Sequence, residues 1–373
     1  MKLKNIQIVS FNNPYPPNYG GAIDVFYKIK YLHSLNIDIY LHIFYDDRFD
    51  LENLKPYCKD IYLYKRDKSF IKFISKIPFC VSSRTSNQIF KNLIKNNAPI
   101  LFEGLQSTQV LINNSFKNKI IVRTHNIEHN YYFGLAKSEA NIFLKAMYFI
   151  EGAKLRKFES ILNKANIILP LSRGEFEYFN KNYKGKAHFL PVFHGNDKVD
   201  DLSIKGDFAL YHGDLSISDN IKAVRFIISI FEKVSHQLVI ASSNIPTSLL
   251  KIINKYDNIQ FSKLEKDNSS LNKLFAKAHI NILFSNQQSG TKLKVFNSLF
   301  KGRFCIVNKN IADDKEILSL CEMAETKEEF IKAVNLIFER DYNQFHKREE
   351  ILKKYEPLKL AQNLIDIINQ NLI

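Results

Sequence analysis

Residues 6–45, IQIVSFNNPYPPNYGGAIDVFYKIKYLHSLNIDIYLHIFY, decide the fold. IQIVSF (6–11) is an apolar run of strand length. GGAIDVFYKIKYLHSLN (20–36) repeats apolar Ile23, Phe26, Tyr27, Ile29, Leu32 and Leu35 every three or four positions, the period of an amphipathic helix. IDIYLHIFY (37–45) is a second strand, rich in β-branched and aromatic residues. A strand, a glycine-bearing turn, a helix and a strand make one βαβ unit, the seed of a parallel sheet.

Outward from this unit the pattern continues. APILFEGL (98–105), KIIVRTHN (119–126) and NIILPLS (166–172) read as further strands, with one long amphipathic helix over about 138–163. A second unit of the same kind follows. FALYHGDLS (208–216), QLVIASS (237–243), NIQFSKL (258–264), INILFSN (280–286) and FCIVNKN (304–310) are its strands. Helices are expected at 219–234, 292–300 and 326–339. The polar stretch HGNDKVDDLSIKGD (194–207) reads as a linker, and an amphipathic helix starts near 357 with Leu360, Leu364, Ile367 and Ile368 on one face. The expected architecture is α/β: two Rossmann-like, doubly wound domains facing a cleft, 1–195 and 196–356. Open parallel sheets bind ligands at the carboxyl ends of their strands, so the chemistry is sought in those loops.

A chain of 373 residues has room for two cores, and its 45% hydrophobic and 24% charged content excludes disorder and collagen-like repeats. No apolar run approaches the ~18–20 residues of a membrane span. MKLKNIQIVSFNNP opens as a strand rather than a signal peptide. Cys58, Cys80, Cys305 and Cys321 form no C-x-x-C pair, so zinc ribbons and disulfide frameworks are not expected and a reducing cytoplasm is the default. The net charge is +15, and residues 1–195 carry most of it, with 28 Lys and Arg against 15 Asp and Glu. The first half is therefore expected to meet something anionic: lipid, nucleic acid or a phosphorylated substrate.

Glycine is scarce, 12 residues, so its positions are informative. Gly20 and Gly21 lie between the first strand and first helix, Gly213 ends the second unit's first strand, and Gly290 precedes a helix. Such turns are either ordinary tight turns or places where backbone N–H groups approach phosphate. Neither G-x-G-x-x-G nor a P-loop is present, which argues against a dinucleotide or P-loop NTPase site. Lys292 and Lys294 open a helix, where they oppose its dipole unless an anion docks there; the alternative is a solvated basic face. RTHNIEH (123–129) packs Arg123, His125, Glu128 and His129 at a strand end, as a structural histidine, a substrate contact or, without a third ligand, a metal site. Glu103, before Gly104, is a substrate ligand or a helix N-terminal charge.

Three segments together resemble the GT-B glycosyltransferases, in particular family 4-like bacterial sugar transferases. They are PYPPNYGGA with its helix, YHGDLSISDNIKAVRFI, and FSNQQSGTKLKVFNSLFKGRFCIVN, the last similar to the donor-site segment S-x-x-E-G-F-G-x-x-x-x-E-A-x-A-x-G-x-P-V-V. No D-x-D follows an apolar strand, against the metal-dependent site of the other glycosyltransferase fold. The resemblance implies transfer of a sugar from a nucleotide diphosphate-sugar to a glycan or lipid-linked acceptor, with retention, in surface polysaccharide or lipopolysaccharide synthesis. It implies no metal and no cofactor. It assigns the acceptor to 1–195, the donor to 196–356, and to 357–373 a helix crossing back to the N-terminal domain. It makes His125 the catalytic contact and Gly20, Gly21 and Gly213 donor contacts, together with Ser289, Gly290, Thr291, Lys292, Lys294 and Asn297. Glu103, Arg123 and Glu128 become acceptor or sugar contacts. Both family glutamates are replaced, by Ser289 and Asn297, and Lys292 and Lys294 stand as the diphosphate counter-charges. A GT-B-fold nucleotide-sugar epimerase and a non-catalytic nucleotide-sugar-binding homologue remain alternatives. A nucleic-acid partner is not expected, because no such motif is present. Residues 62–77, with five cations among aromatic and aliphatic groups, are expected to touch an anionic membrane on its cytoplasmic face, or else to pack Phe70, Phe73 and Ile77 into the core.

Overall fold

The computed structural model describes residues 2–46, 50–202, 204–265, 269–287 and 292–371. They form two compact units, Met1–Gly195 with Pro357–Ile373, and Asn196–Glu356. The first runs β1 (Asn5–Ser10), α1 (Gly20–Ser34), β2 (Asp38–Tyr45), β3 (Asp60–Lys65) and three short helices, α2 (Phe70–Ile74), α3 (Phe79–Ser82) and α4 (Ile89–Leu93). It continues through β4 (Ile100–Glu103), β5 (Ile120–Thr124), α5 (Glu128–Ser138), α6 (Ile142–Phe158), β6 (Ile167–Pro170) and α7 (Arg173–Asn182).

The second unit opens with β7 (Phe208–His212), α8 (Ser218–Phe231), β8 (Leu238–Ser242), α9 (Thr247–Ile253) and β9 (Ile259–Lys263). Then come α10 (Ser269–Lys277), β10 (Ala278–Leu283), α11 (Leu293–Lys301), β11 (Phe304–Val307), α12 (Lys315–Leu318) and β12 (Glu322–Met323). α13 (Lys327–Phe338) and α14 (Phe345–Leu352) close it, and α15 (Pro357–Gln370) returns to the first unit.

Both sheets are parallel, with strand orders β3-β2-β1-β4-β5-β6 and β12-β11-β10-β7-β8-β9. Helices cover both faces, so the central strands are wholly buried; β4, β5 and β6 expose no residue. That is why their sequences are near-continuous apolar runs rather than alternating ones. Each sheet is a doubly wound Rossmann-like sheet that reverses direction once, between β1 and β4 in one unit and β7 and β10 in the other.

Three segments differ from the sequence reading. The helix expected over 138–163 is two helices. Glu139 is extended, and the Asn141 side chain accepts from the Phe143 and Leu144 N–H groups, starting α6 afresh. The stretch 194–207 is not a free linker. Asp200 N–H donates to the Phe300 carbonyl, the Asp200 carboxylate pairs with Lys301 at 2.9 Å, and Arg303 donates to the Ile204 carbonyl.

Residues 62–77 are not one amphipathic segment. Tyr62 and Tyr64 belong to edge strand β3, where Tyr62 stacks on His42 at 4.7 Å between centroids and Tyr64 is buried. Arg66 and Lys68 both pair with Asp46, and Lys72 with Asp67. The packed-core alternative fails as well, because Phe70 is 73% exposed.

α15 lays Leu360, Ala361, Leu364, Ile365 and Ile368 into the core formed by α1, β1 and β2, and Leu3 N–H donates to the Asn369 side chain at 2.7 Å. Leu364→Ala should lower stability in urea unfolding by about 2–5 kcal/mol, the usual cost of truncating a buried leucine. A change below about 0.5 kcal/mol would mean the helix is not docked.

Candidate functional site

Each direction reversal leaves a gap at the carboxyl ends of two strands. In the first unit β1 runs out into Phe11 and β4 into Glu103 and Gly104. Gly21, in the first turn of α1, lies so close to Phe11 that a Cβ would come 2.6 Å from its ring, whereas Gly20 faces open space. The Phe11 ring meets His125 edge-on, 5.4 Å between centroids. The glycine turn and the histidine therefore share one end of the sheet.

Beneath His125 lies a wholly buried charge cluster. Lys28 Nζ sits 2.9 Å from Asp24 Oδ2 and 2.6 Å from Glu103 Oε1. Arg123 donates to both Asp24 oxygens, at 3.2 and 2.9 Å, and to the Leu190 and Pro191 carbonyls. Phe193 N–H completes the Asp24 shell at 2.7 Å. Two carboxylates face two cations, which is what an ion cluster without solvent requires. Burial alone would raise the Asp24 carboxyl, but Arg123, Lys28 and His125 reverse this and hold it far below the ordinary carboxylate range. Glu103 is likewise lowered against burial, chiefly by Lys28 and the hydrogen bond from His125.

His125 is the member of this cluster that reaches solvent, its side chain 12% exposed. Its Nε2 lies 3.2 Å from Glu103 Oε2. An ionised carboxylate only accepts, so Nε2 is the donor to Glu103 and Nδ1 is the ring's other nitrogen. Asp24, Glu103 and His125 offer ligand atoms within 4.8 Å of one another, a spacing a cation could use. Lys28 already stands between the two carboxylates, so a divalent ion there would meet an unscreened ammonium. The donor set fits a salt-bridge cluster, not a metal.

The sequence reading treats Arg123, Glu103 and Glu128 as acceptor or sugar contacts; the structure buries all three. Arg123 and Glu103 are fully buried, and the contacts above engage them inside the protein. Glu103 positions His125 directly, and Arg123 acts on it through Asp24. Glu128, 4% exposed, opens α5, and burial raises its carboxyl despite His125 and a hydrogen bond from Gln106. His129 is structural, its Nδ1 3.1 Å from Glu159. Asp24 and Lys28 escaped the sequence reading. Their signal is an i,i+4 acid–base pair on a helix that packs on two strands each carrying a buried charge.

In the second unit the gap lies after β7 and β10. Gly213 follows β7, and a Cβ there would stand 3.5 Å from Lys294 Nζ. Lys294 Nζ donates to Asn220 Oδ1 at 3.2 Å and lies 5.1 Å from the Tyr211 ring centroid. Burial lowers the ammonium to about 8, with Lys292 adding to the shift and Asp219 opposing it. Lys292 precedes α11 and is also lowered by burial. Among the described residues Lys294 forms no ion pair, and Asp219 is taken up by Ser285 and Asn286. Among the described residues neither α8 nor α11 has a side-chain cap on its first N–H groups. Lys292 and Lys294 thus gather beside the α8 and α11 N-termini at one sheet end, and Asp219 is the acid that acts on both. Burial holds His212, behind them, down to about 3, so it is neutral.

Asn297 spends its acceptor oxygen on Asn196 Nδ2, at 2.9 Å, rather than leaving it free. Ser289, Gly290 and Thr291 lie outside the described residues.

No protein-family model matches the sequence. An uncharacterized 44.6 kDa protein in the cps region of Klebsiella pneumoniae is 26% identical over 326 residues, 82% of each chain. Among solved structures, a glycosyltransferase from Rickettsia africae superposes with TM-score 0.67 at 11% identity over 100% of this chain and 99% of its own. Anabaena HepE in complex with UDP gives 0.70 at 10%, over 98% and 100%. A UDP-forming α,α-trehalose-phosphate synthase from Burkholderia xenovorans gives 0.65 at 9%, over 99% of both chains. At such identities the likeness establishes the fold: two Rossmann-like domains of the GT-B type.

The buried cluster generates a test. Lys28→Met leaves two buried carboxylates with one guanidinium and should cost about 3–5 kcal/mol. Both carboxyls lie below their ordinary values of 3.8 and 4.5 in the folded chain, so their contribution is complete above those values and is lost as pH falls through and below them. Lys28→Met should flatten that loss, because its carboxyls are less depressed. Identical acid-unfolding slopes for the two proteins would contradict the cluster.

Proposed function

We propose that the chain is a glycosyltransferase. It moves a sugar from a nucleoside diphosphate-sugar to a glycan or lipid-linked acceptor in surface polysaccharide synthesis, at the cytoplasmic face of the membrane. The observation that carries this reading is Lys294, a desolvated cation that forms no ion pair among the described residues and lies beside the N-termini of α8 and α11. A diphosphate supplies the missing charge. Support also comes from the GT-B fold, from HepE, which binds UDP, and from the relative in a cps region. Nucleic acid is not among the proposed ligands, and the proposed chemistry needs neither metal nor cofactor.

In the reaction an acceptor hydroxyl oxygen bonds to the anomeric carbon as the bond from that carbon to the β-phosphate oxygen breaks. The hydroxyl proton passes to the departing β-phosphate oxygen on the same face of the sugar, and negative charge grows on the diphosphate as it leaves. Lys294, Lys292 and the first N–H groups of α8 and α11 are the groups proposed to stabilise that charge. Gly213 lets the phosphate approach. Gly20 and Gly21 are proposed donor contacts in the first unit, and Gly290, Thr291, Ser289 and Asn297 in the second. His125, oriented by Glu103, is the proposed contact for the reacting sugar, its Nδ1 accepting a hydroxyl hydrogen. Retention of configuration is part of the proposal.

Two outcomes are expected. UDP affinity, read by calorimetry, should fall as pH rises through about 8, because an anion binds only protonated Lys294. Lys294→Met should weaken UDP binding at pH 7 by at least tenfold and remove that pH dependence. Affinity independent of both pH and Lys294 would refute the donor site. His125→Ala should lower kcat for transfer far more than it weakens UDP binding. Equal losses of activity and thermal stability would make His125 a structural residue instead.

A further inference from the structure

The first unit carries an apolar surface that its own core does not use. At the tip of the α5–α6 hairpin, Ile142 is 73% and Phe143 83% exposed, and Phe149 and Ile150 follow about two turns on at 59% and 54%. The Asn141 cap holds this first turn in a defined helix, so the apolar groups are presented rather than frayed. A shallow depression of about 800 Å³ lies along the hairpin. It is lined by Phe133, Ala146 and Phe149 among others, with Lys137, Lys145 and Arg156 in its rim. α2 adds Phe70, Ile71 and Ile74, all more than half exposed, and adjoins α6 where Lys154 Nζ donates to the Phe73 carbonyl at 3.1 Å. Monomeric proteins rarely leave so contiguous an apolar surface without a partner.

The charges around this surface select the partner. Lys137, Lys145, Arg156 and Lys157 are exposed along the hairpin, and Lys76 beyond α2. The carboxylates here are taken up within the protein: Glu151 on α6 pairs with Lys154 and bonds Phe79 N–H, Glu159 just past its end takes His129 and Tyr178, and Glu139 between the helices accepts from Asn141 N–H. A two-fold contact between copies would set these cations against themselves. An anionic leaflet neutralises them while its acyl region takes the phenylalanines and isoleucines.

We infer that the α5–α6 tip, flanked by α2, inserts into an anionic lipid leaflet and is the element that holds the protein at a membrane. This rests on the lipid-linked-acceptor reading for its purpose, but binding is measurable without substrate.

The chain contains no tryptophan. Phe143→Trp therefore places a single reporter at the tip. With phosphatidylglycerol vesicles its emission should shift to the blue and be quenched by brominated acyl chains. Phosphatidylcholine vesicles, or anionic vesicles in 0.5 M salt, on the order of five times the concentration at which the Debye length is ~10 Å, should give little shift. Ile142→Ser with Phe143→Ser should lower co-sedimentation with anionic vesicles at least tenfold while UDP affinity is unchanged, which shows that the variant is folded. No shift and no sedimentation would overturn the inference and leave the donor site untouched. So would concentration-dependent dimerisation without lipid that the double variant abolishes, which would make the surface a contact between copies. Loss of UDP binding with vesicle binding intact would fail the donor reading alone.

Discussion

The first unit is organised around the ammonium of Lys28. It is wholly buried, reaches one carboxylate on its own helix and one on a central strand, and so ties α1 to β4. Arg123, on the neighbouring strand, closes the same cluster from the other side and pins the backbone at Leu190 and Pro191. A buried ion cluster adds little net stability over apolar packing of the same volume, because desolvation offsets most of the Coulomb attraction. What it imposes is position. The β4 and β5 ends, the start of α1 and the segment near Phe193 can take one mutual arrangement without stranding a charge, and that arrangement fixes Glu103 beneath His125.

The second unit solves the opposite problem. Its strand ends also gather cations, but the balance is left open. Lys294 has an amide oxygen and an aromatic face for company, neither of which carries a full negative charge. Burial is the main cause of the depressed ammonium, and Lys292 adds to it. One sheet end is thus neutralised by ion pairs within the protein, and the other keeps a buried cation beside two helix N-termini. The difference follows from where the acids sit. Asp24 and Glu103 point into the first cluster, whereas Asp219 is diverted to Ser285 and Asn286.

The alternation of strands and helices was legible in the sequence because buried parallel strands are apolar throughout and their covering helices keep a 3.6-residue period. β3 was not. DIYLYK sits at a sheet edge, half-buried and interleaved with polar groups, so it merges into the basic stretch that follows it. The break before α6 was missed because Asn141 acts through two local hydrogen bonds that leave the apolar period on both sides intact. At the site, His125 and Lys294 could be picked out as polar groups at strand and helix ends. Asp24 and Lys28 could not, because they lie on the buried face of α1 among Ala22, Val25 and Ile29, where an apolar pattern hides an ion pair. Arg123 and Glu103 illustrate the same limit from the strand side. A charge inside an apolar strand announces a partner, but the sequence does not say whether that partner is a ligand or the protein itself.

The replaced glutamates bear on the chemistry through the same distinction. A carboxylate at the position of Asn297 would sit next to Asn196 on a helix that begins with Lys292 and Lys294. It would add negative charge at the end of the unit that gathers cations. Asn297 instead accepts from Asn196 and is neutral, so it adds no negative charge to the helix that carries Lys294. Removing the acid and adding the lysines act in the same direction: both raise the positive potential at the α11 N-terminus. In the proposed reading the cations at the helix start hold the diphosphate. The loss of those acids then bears on recognition of the sugar's hydroxyls rather than on the phosphates.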